Sequence, residues 1–283
     1  MSAERQHVAS RNPDMHRIVG THDIVMITLD TLRYDVAQEQ FHAGRLPHLA
    51  AHLPHSGWEL RHTPGTFTYA AHCAFFAGFL PTPASPGPHS RLFALRFDGS
   101  ETTDEHTFVF DTTDNIVAGL AQQGYHTICI GGVGFFNMRN PLGLALPQLF
   151  SERWWRPEFS VTAAESTRRQ VEFACERLAD ADLMSQRVFL FINISAIHQP
   201  NRHYANLPED CLESHAAALR YVDAALAPLW RTLAARGPSF AIVCSDHGTA
   251  YGEDGYRGHR HGHPVVLNVP YAHFEIAAAG KDP

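Results

Sequence analysis

Residues 24–35 read IVMITLDTLRYD, and their reading decides the fold. Six residues pass before the first charge, with no polar alternation, which describes a strand covered on both faces, as parallel strands inside α/β domains are. Asp30 stands where that strand must end. The signature recurs downstream. Residues 188–194 (VFLFINI) lead to His198, and residues 240–244 (FAIVC) run into Ser245-Asp246-His247-Gly248. Residues 125–132 (YHTICIGG) read as another strand, and residues 265–269 as a shorter one. Helical spacing fills the intervals at 116–123, 168–178 and 214–233, the last stopped by Gly237-Pro238. Strands alternating with helices predict an α/β domain whose sheet is largely parallel. The polar residues gather just past strand ends, at the carboxyl edge where such sheets bind ligands.

Composition narrows the function classes. With 45% apolar and 18% charged residues among 283, the chain is globular rather than disordered. A formal charge of -7 argues against nucleic acid or an anionic membrane as main partner. Lys281 is the only lysine, so the fold interior offers none for catalysis. The polar residues 1–20 contain no apolar leader, and no run reaches the length that spans a bilayer. Cys73, Cys129, Cys175, Cys211 and Cys244 are odd in number and lack CxxC spacing, which reads as reduced thiols in a cytoplasmic protein. Residues 81–88 (PTPASPGP) read as a rigid loop. Asn193-Ile194-Ser195 matches a glycosylation sequon, which carries no weight in a chain read as cytoplasmic. Twenty histidines are an excess, and His259-Arg260-His261-Gly262-His263 concentrates three of them close behind Asp246-His247. Such density suits metal or anion chemistry.

Taken singly, Asp30 reads as a helix N-cap and Asp246 as a turn residue. Taken together with His247, the two strand-end aspartates make a hard, compact divalent-metal site, with Thr68 as a fourth, oxygen ligand. Thr68 belongs to residues 65–81, GTFTYAAHCAFFAGFLP, a small-residue helix pattern interrupted by His72.

Four blocks in order resemble the alkaline phosphatase superfamily, closest to its sulfatase and phosphodiesterase branches: ITLDTLRYD, PHLA, the threonine-histidine segment closing on GFLP, and CSDHG followed by histidines. The resemblance extends from about residue 22 to 275. It implies a three-layer α/β/α sandwich with a mostly parallel central sheet, an alkaline-phosphatase-like core without the usual C-terminal sulfatase subdomain. It implies one hydrolase domain over residues 21–283 behind a polar segment, residues 1–20. Asp30, Asp246 and His247 match metal ligands of the superfamily, and Thr68 falls at the nucleophile position. There a helix N-terminus favours an anion, and a divalent cation makes a threonine hydroxyl reactive. His72 falls where pyrophosphatase-type members carry a histidine; it either faces substrate or is hydrogen-bonded in the core. His198 and His259 match substrate-contacting positions.

Sulfatase chemistry is disfavoured. Residues 68–72 (TYAAH) lack the C-x-P-x-R that matures to formylglycine, and the lysines that surround a sulfate are missing. The expected activity is therefore metal-dependent hydrolysis of phosphate-type esters, with phosphodiesters or phosphonate monoesters ahead of monoesters. The alternatives are a phosphoryl-group transferase and a degenerate, non-catalytic metal-binding partner protein. One ion is expected, manganese or zinc ahead of magnesium, with a second ion on His198, His259 and His263 as the alternative. A dianionic monoester asks for more positive charge than one metal and neutral histidines supply, and partly protonated histidines with Arg33 or Arg139 are the candidates to add it, the roles of both arginines staying open. The partner is a small-molecule or polymeric anionic ester. The substrate's leaving group, the oligomeric state and the role of His261 are not readable from sequence.

Overall fold

Strand β1 (Asp23–Leu29) is buried along its whole length and sits mid-sheet. The computed structural model describes residues 13–78, 93–95, 108–110 and 115–279; the proline-rich loop read at 81–88 lies outside them. Further strands follow in chain order: β2 (Glu59–His62), β3 (His126–Ile130), β4 (Glu152–Trp154), β5 (Val188–Ile194), β6 (Ser239–Cys244) and β7 (Asn268–Ile276). They form one seven-stranded sheet in the order β2-β7-β6-β1-β5-β3-β4. Pairing is parallel from β6 across to β4, while β7 runs antiparallel to both its neighbours. The expected mostly parallel α/β sheet is what forms.

Alternation within the apolar strands builds two cores. Val25, Ile27 and Leu29, with Leu190, Ile192 and Ile194, face a core that includes Leu226 and Trp230 of the long helix Leu212–Arg236. Ile24 and Met26, with Phe189 and Phe191, face a second, aromatic core containing Phe76, Phe136 and Phe150. Successive strand side chains point to opposite faces, so a sheet covered by helices on both sides needs apolar residues at every position. The result is three layers.

Register sets the active edge. Leu29 pairs with Ile194 on one side, and Thr28 pairs with Cys244 on the other. The residues that follow these ends, Asp30, Ser195 and Ser245-Asp246, therefore emerge together. The helix Thr68–Ala77 begins at this edge and ends on Gly78, whose φ of 79° is the left-handed conformation that closes helices.

Two local expectations are corrected. Residues 265–269 are not one strand: a single helical turn, Pro264–Leu267, precedes β7. Pro264 occupies the first helical position and the His263 ring accepts from the Val265 amide, so the chain coils before it extends. The edge strands β2 and β4 escape the apolar-run criterion because their residues are half-buried or exposed. Within the polar segment read at 1–20, a short helix, Met15–Ile18, buries Ile18 against the aromatic core. No disulfide joins the five cysteines. Among the described residues, no helix is long and apolar enough to cross a membrane.

Candidate metal and catalytic site

Asp30 leaves β1 into an unusual turn: Thr31, with φ 66°, holds a left-handed conformation that non-glycine residues rarely adopt. That turn aims the Thr31 amide at Asp246 Oδ1, 3.2 Å away, and the His247 amide donates to the same oxygen at 3.0 Å. Across the site, Asn193 Nδ2 donates to Asp30 Oδ2 at 3.1 Å. Each carboxylate thus has one oxygen anchored by the protein. The other oxygens, Asp30 Oδ1 and Asp246 Oδ2, are buried without a hydrogen-bond partner.

His247 completes the set. Its Nδ1–H donates to the Gly248 carbonyl at 2.9 Å, which leaves Nε2 as a bare lone pair. Nε2 lies 3.9 Å from Asp30 Oδ1 and 3.6 Å from Asp246 Oδ2. Thr68 Oγ1, on the first residue of its helix, is 3.4 Å from both Asp30 Oδ2 and His247 Nε2. Ligand atoms of Asp30, Asp246 and His247 all lie within 4.8 Å of one another, and no other such cluster forms among the described residues. Two unpaired carboxylate oxygens and an imidazole lone pair converging in a buried site fit a divalent cation.

The electrostatics agree. Burial, followed by the neighbouring Asp246, raises Asp30 to about 6, and burial raises Asp246 to about 7. Burial lowers His247 and keeps its ring neutral, the form that binds metal.

Glycines let the backbone close in. A Cβ on Gly248 would lie 1.9 Å from the Val265 carbonyl oxygen, and the Gly248 amide donates to Val266 O at 2.8 Å. A Cβ on Gly65 would lie 2.6 Å from the Ala71 amide nitrogen, so Gly65 lets the preceding loop sit against the first turn below Thr68.

The histidines separate by role. His259 approaches His247 with ring centroids 4.5 Å apart and His198 at 5.8 Å, so both expected substrate-side histidines border the site. His198 spends Nδ1–H on the Gln199 carbonyl at 2.6 Å. Burial, then His247 and His198, push His259 down to about 3, so it is neutral and supplies no charge. His263 does not join them: its Nε2 bonds Asp254 at 3.0 Å and its Nδ1 caps the helical turn, so the alternative second-ion set of His198, His259 and His263 is not assembled. His261 stacks on Tyr256 and bonds the Gly258 carbonyl.

His72 is not on the substrate side. It is fully buried, with Nδ1–H on the Thr68 carbonyl at 2.7 Å and Nε2 accepting from Thr28 Oγ1 at 3.0 Å. Phe75, Phe76, Phe136 and Phe191 ring it, and burial pushes it down to about 3. Of its two readings, the core one describes the structure. The two candidate arginines are occupied elsewhere. Arg33 is buried against Asp35 and Glu253, and Arg139 lies over the Trp155 ring at 4.5 Å. Arg260 ties the histidine-rich run to the loop before the Thr68 helix through its backbone: its amide donates to Thr66 O at 3.0 Å.

Sequence reading missed Asn193. Asn193 did carry a signal, a lone amide inside an apolar strand; as a buried strand residue it anchors Asp30 and accepts from the Val133 amide at 3.0 Å.

A sulfatase family model matches residues 22–268. No curated protein sequence matches the chain. Several solved structures share the fold. The soluble domain of lipooligosaccharide phosphoethanolamine transferase A from Neisseria meningitidis aligns with TM-score 0.59 and 16% identity, covering 92% of this chain and 78% of that one. The C-terminal periplasmic domain of EcEptC from Escherichia coli, in complex with zinc, gives 0.58 and 13%, covering 90% and 74%. A protein of the alkaline phosphatase superfamily from Vibrio parahaemolyticus gives 0.56 and 17%, covering 93% and 62%.

Proposed function

The chain belongs to the sulfatase family, within the alkaline phosphatase superfamily, and on that premise we propose that it is a divalent-metal-dependent hydrolase of phosphodiesters or phosphonate monoesters that works through Thr68. The carrying observation is the Thr68 hydroxyl at a helix start, 3.4 Å from Asp30 Oδ2 and His247 Nε2, beside two unpartnered carboxylate oxygens. Asp30, Asp246 and His247 would hold the cation with Thr68, and the mixed oxygen and nitrogen set suits manganese or zinc better than magnesium. Bound there, such an ion supplies positive charge that acidifies the Thr68 hydroxyl and offsets charge on the transferred group.

The rest is work for the chain's own residues. Thr68 Oγ1 forms the bond to phosphorus as the ester oxygen departs with its electron pair and takes up a proton. The amides of the first helical turn, which have no partner inside the helix, favour the negative charge gathered beside them. His198, with Nδ1 committed, has Nε2 left for substrate, and neutral His259 offers a hydrogen bond rather than charge. Water then attacks phosphorus, the bond to Thr68 Oγ1 breaks, and the hydroxyl is restored. With His259 neutral, a singly charged ester is better matched than a dianionic monoester. A sulfate ester is disfavoured because Thr68 cannot become formylglycine.

In a second reading an alcohol replaces water as acceptor. The phosphoethanolamine transferases among the structural relatives support it.

Turnover of chromogenic phosphodiester, phosphonate monoester, phosphate monoester and sulfate ester, by manganese- or zinc-loaded protein, tests the proposal. Phosphorus-ester turnover that vanishes in Thr68→Ala is expected, and turnover surviving the substitution removes Thr68 as nucleophile. Added glycerol or ethanolamine separates the readings: a new phosphodiester product marks a transferase.

A further inference from the structure

Of His198, His247 and His259, the last is the one whose ring no hydrogen bond ties. His247 and His198 each commit Nδ1 to a carbonyl, whereas no hydrogen bond reaches the His259 ring among the described residues. Its place is set by contact with those two rings, at 4.5 and 5.8 Å between centroids, and by its own backbone. That backbone leaves a two-stranded ribbon in which Ala250–Tyr251 pairs antiparallel with Arg257–Gly258. A two-stranded hairpin alone is marginal in water, and this ribbon has only two residue pairs. On the far side of His259 the Arg260 amide bonds Thr66 O. On the near side the ribbon depends on what clasps it.

Glu253 stands in the turn that joins the two strands. Its Oε2 accepts from the Tyr251 amide at 2.6 Å, which fixes the turn to the first strand. Its Oε1 accepts from Arg33 Nη1. Arg33 is buried three residues beyond Asp30, and the same Nη1 lies 3.5 Å from the Thr249 carbonyl oxygen. Asp35 takes the rest of the guanidinium, at 2.9 Å on Nε and 2.5 Å on Nη2. One carboxylate thus joins the ribbon that carries His259 to the turn that carries Asp30. Burial would raise Glu253, but Arg33 and two backbone amides hold it down to about 2, so the clasp stays charged at neutral pH. The first strand has another fastening, since the Tyr251 hydroxyl meets Asn201 Nδ2 and His215 Nδ1, each at 3.0 Å. That one reaches the long helix and the segment after His198, not the metal turn.

We propose that Glu253, through its pair with Arg33, is a positioning residue that fixes where the His259 ring stands against His247 and the substrate. The inference rests on the reading of Thr68 and its metal site as the reacting centre, with His259 beside the transferred group. Among the described residues Glu253 bonds no metal ligand, so it acts through the ribbon. Loosening the clasp leaves Asp30, Asp246 and His247 on their own strand ends, and the loss falls on His259. Arg33 retains Asp35 when Glu253 is replaced, so no guanidinium is left buried and unpaired. A misplacement of about 1 Å in a substrate-contacting group costs up to ~100-fold in rate.

The test is a double-mutant cycle with His259→Ala. Glu253→Gln should lower kcat/KM for a chromogenic phosphodiester by roughly tenfold in the wild type. In His259→Ala protein the same change should have little further effect, within about twofold. Equal losses in the two backgrounds overturn the assignment, because Glu253 then does not act through His259. A second readout needs no turnover: the Cε1–H proton resonance of His259 in metal-free Thr68→Ala protein, identified by its loss in His259→Gln. It should shift in Glu253→Gln as the ring leaves His247, and an unmoved resonance also overturns the assignment. Glu152→Gln is the control, since it weakens a comparable pair with Arg177 at the far edge of the sheet. It should lower the melting temperature and move neither readout; equal changes there would mean lost stability rather than positioning. If Glu253→Gln does not fold, Glu253→Asp withdraws the carboxylate by one methylene and carries the same two readouts. A shifted resonance in a protein that turns over no ester leaves the clasp standing and counts against the proposed reaction instead.

Discussion

At the scale of single residues, the site trades stability for a binding-ready arrangement. Asp246 Oδ2 is buried with no partner, close to Asp30, and both carboxyls are raised by burial. Asp246→Asn keeps an oxygen for the Thr31 and His247 amides but removes one of the two charges. Metal-free Asp246→Asn should therefore melt above metal-free wild type at pH 8, by about 2–4 °C for each ~1 kcal/mol recovered, and should lose its thermal response to manganese. A lower melting point than wild type would show that the second oxygen is not a strained, metal-ready group. His72 acts at the same scale in another way. It supports Thr28, which accepts from Asn193, which holds Asp30. His72→Ala should cost about 2–4 kcal/mol in urea unfolding, from the cavity and the orphaned Thr28 hydroxyl. A loss of turnover at unchanged stability would instead return His72 to the substrate side.

At the scale of elements, the decisive device is the turn after β6. Its aspartate and histidine are useful only because Gly248 lets the chain pass against the helical turn Pro264–Leu267, with the Val266 carbonyl accepting its amide. Gly248→Ala puts a methyl into the Val265 carbonyl, and the strain should cost about 1–3 kcal/mol. Since the turn also orients His247, the variant should bind manganese more weakly, read as a smaller melting-temperature rise at saturating metal. Unchanged affinity would mean that the turn relaxes without moving the ring. The helix beginning at Thr68 follows the same logic from its other side, with Gly65 as the point of close approach.

For the whole molecule, two sets of buried groups pull stability in opposite directions with pH. His72 and His215 are depressed to about 3, so their contribution is complete above the unfolded histidine range and is lost as pH falls from about 6.5 toward 3. Asp30 and Asp246 are raised to about 6 and about 7, so their contribution is complete below the unfolded carboxyl value and is lost as pH rises through 6 to 7. A cation that binds only the ionised pair reverses the second loss. The gap in melting temperature between manganese-loaded and metal-free protein should be small at pH 5 and widen through pH 7. A gap independent of pH would place the metal on groups other than this pair.

How far the sequence reached follows from the range of each interaction. Apolar runs 24–29, 188–194 and 240–244 determined the strands, because a strand covered on both faces must be apolar throughout, and that demand is local. They also put Asp30, His198 and Asp246-His247 at strand ends, where a parallel sheet gathers its chemistry. What the sequence could not determine was direction and partnership. Which of His259, His261 and His263 turns inward depends on a ribbon whose register is fixed by Tyr251 and Arg257. Whether His72 faces substrate or core depends on Phe136 and Phe191, phenylalanines from two other elements. The role of Arg33 was open in the sequence, and Glu253, 220 residues away in sequence, is what occupies it. Periodicity along the chain encodes burial, but a side chain's partner is set by packing between segments distant in sequence, and only the tertiary structure decided that.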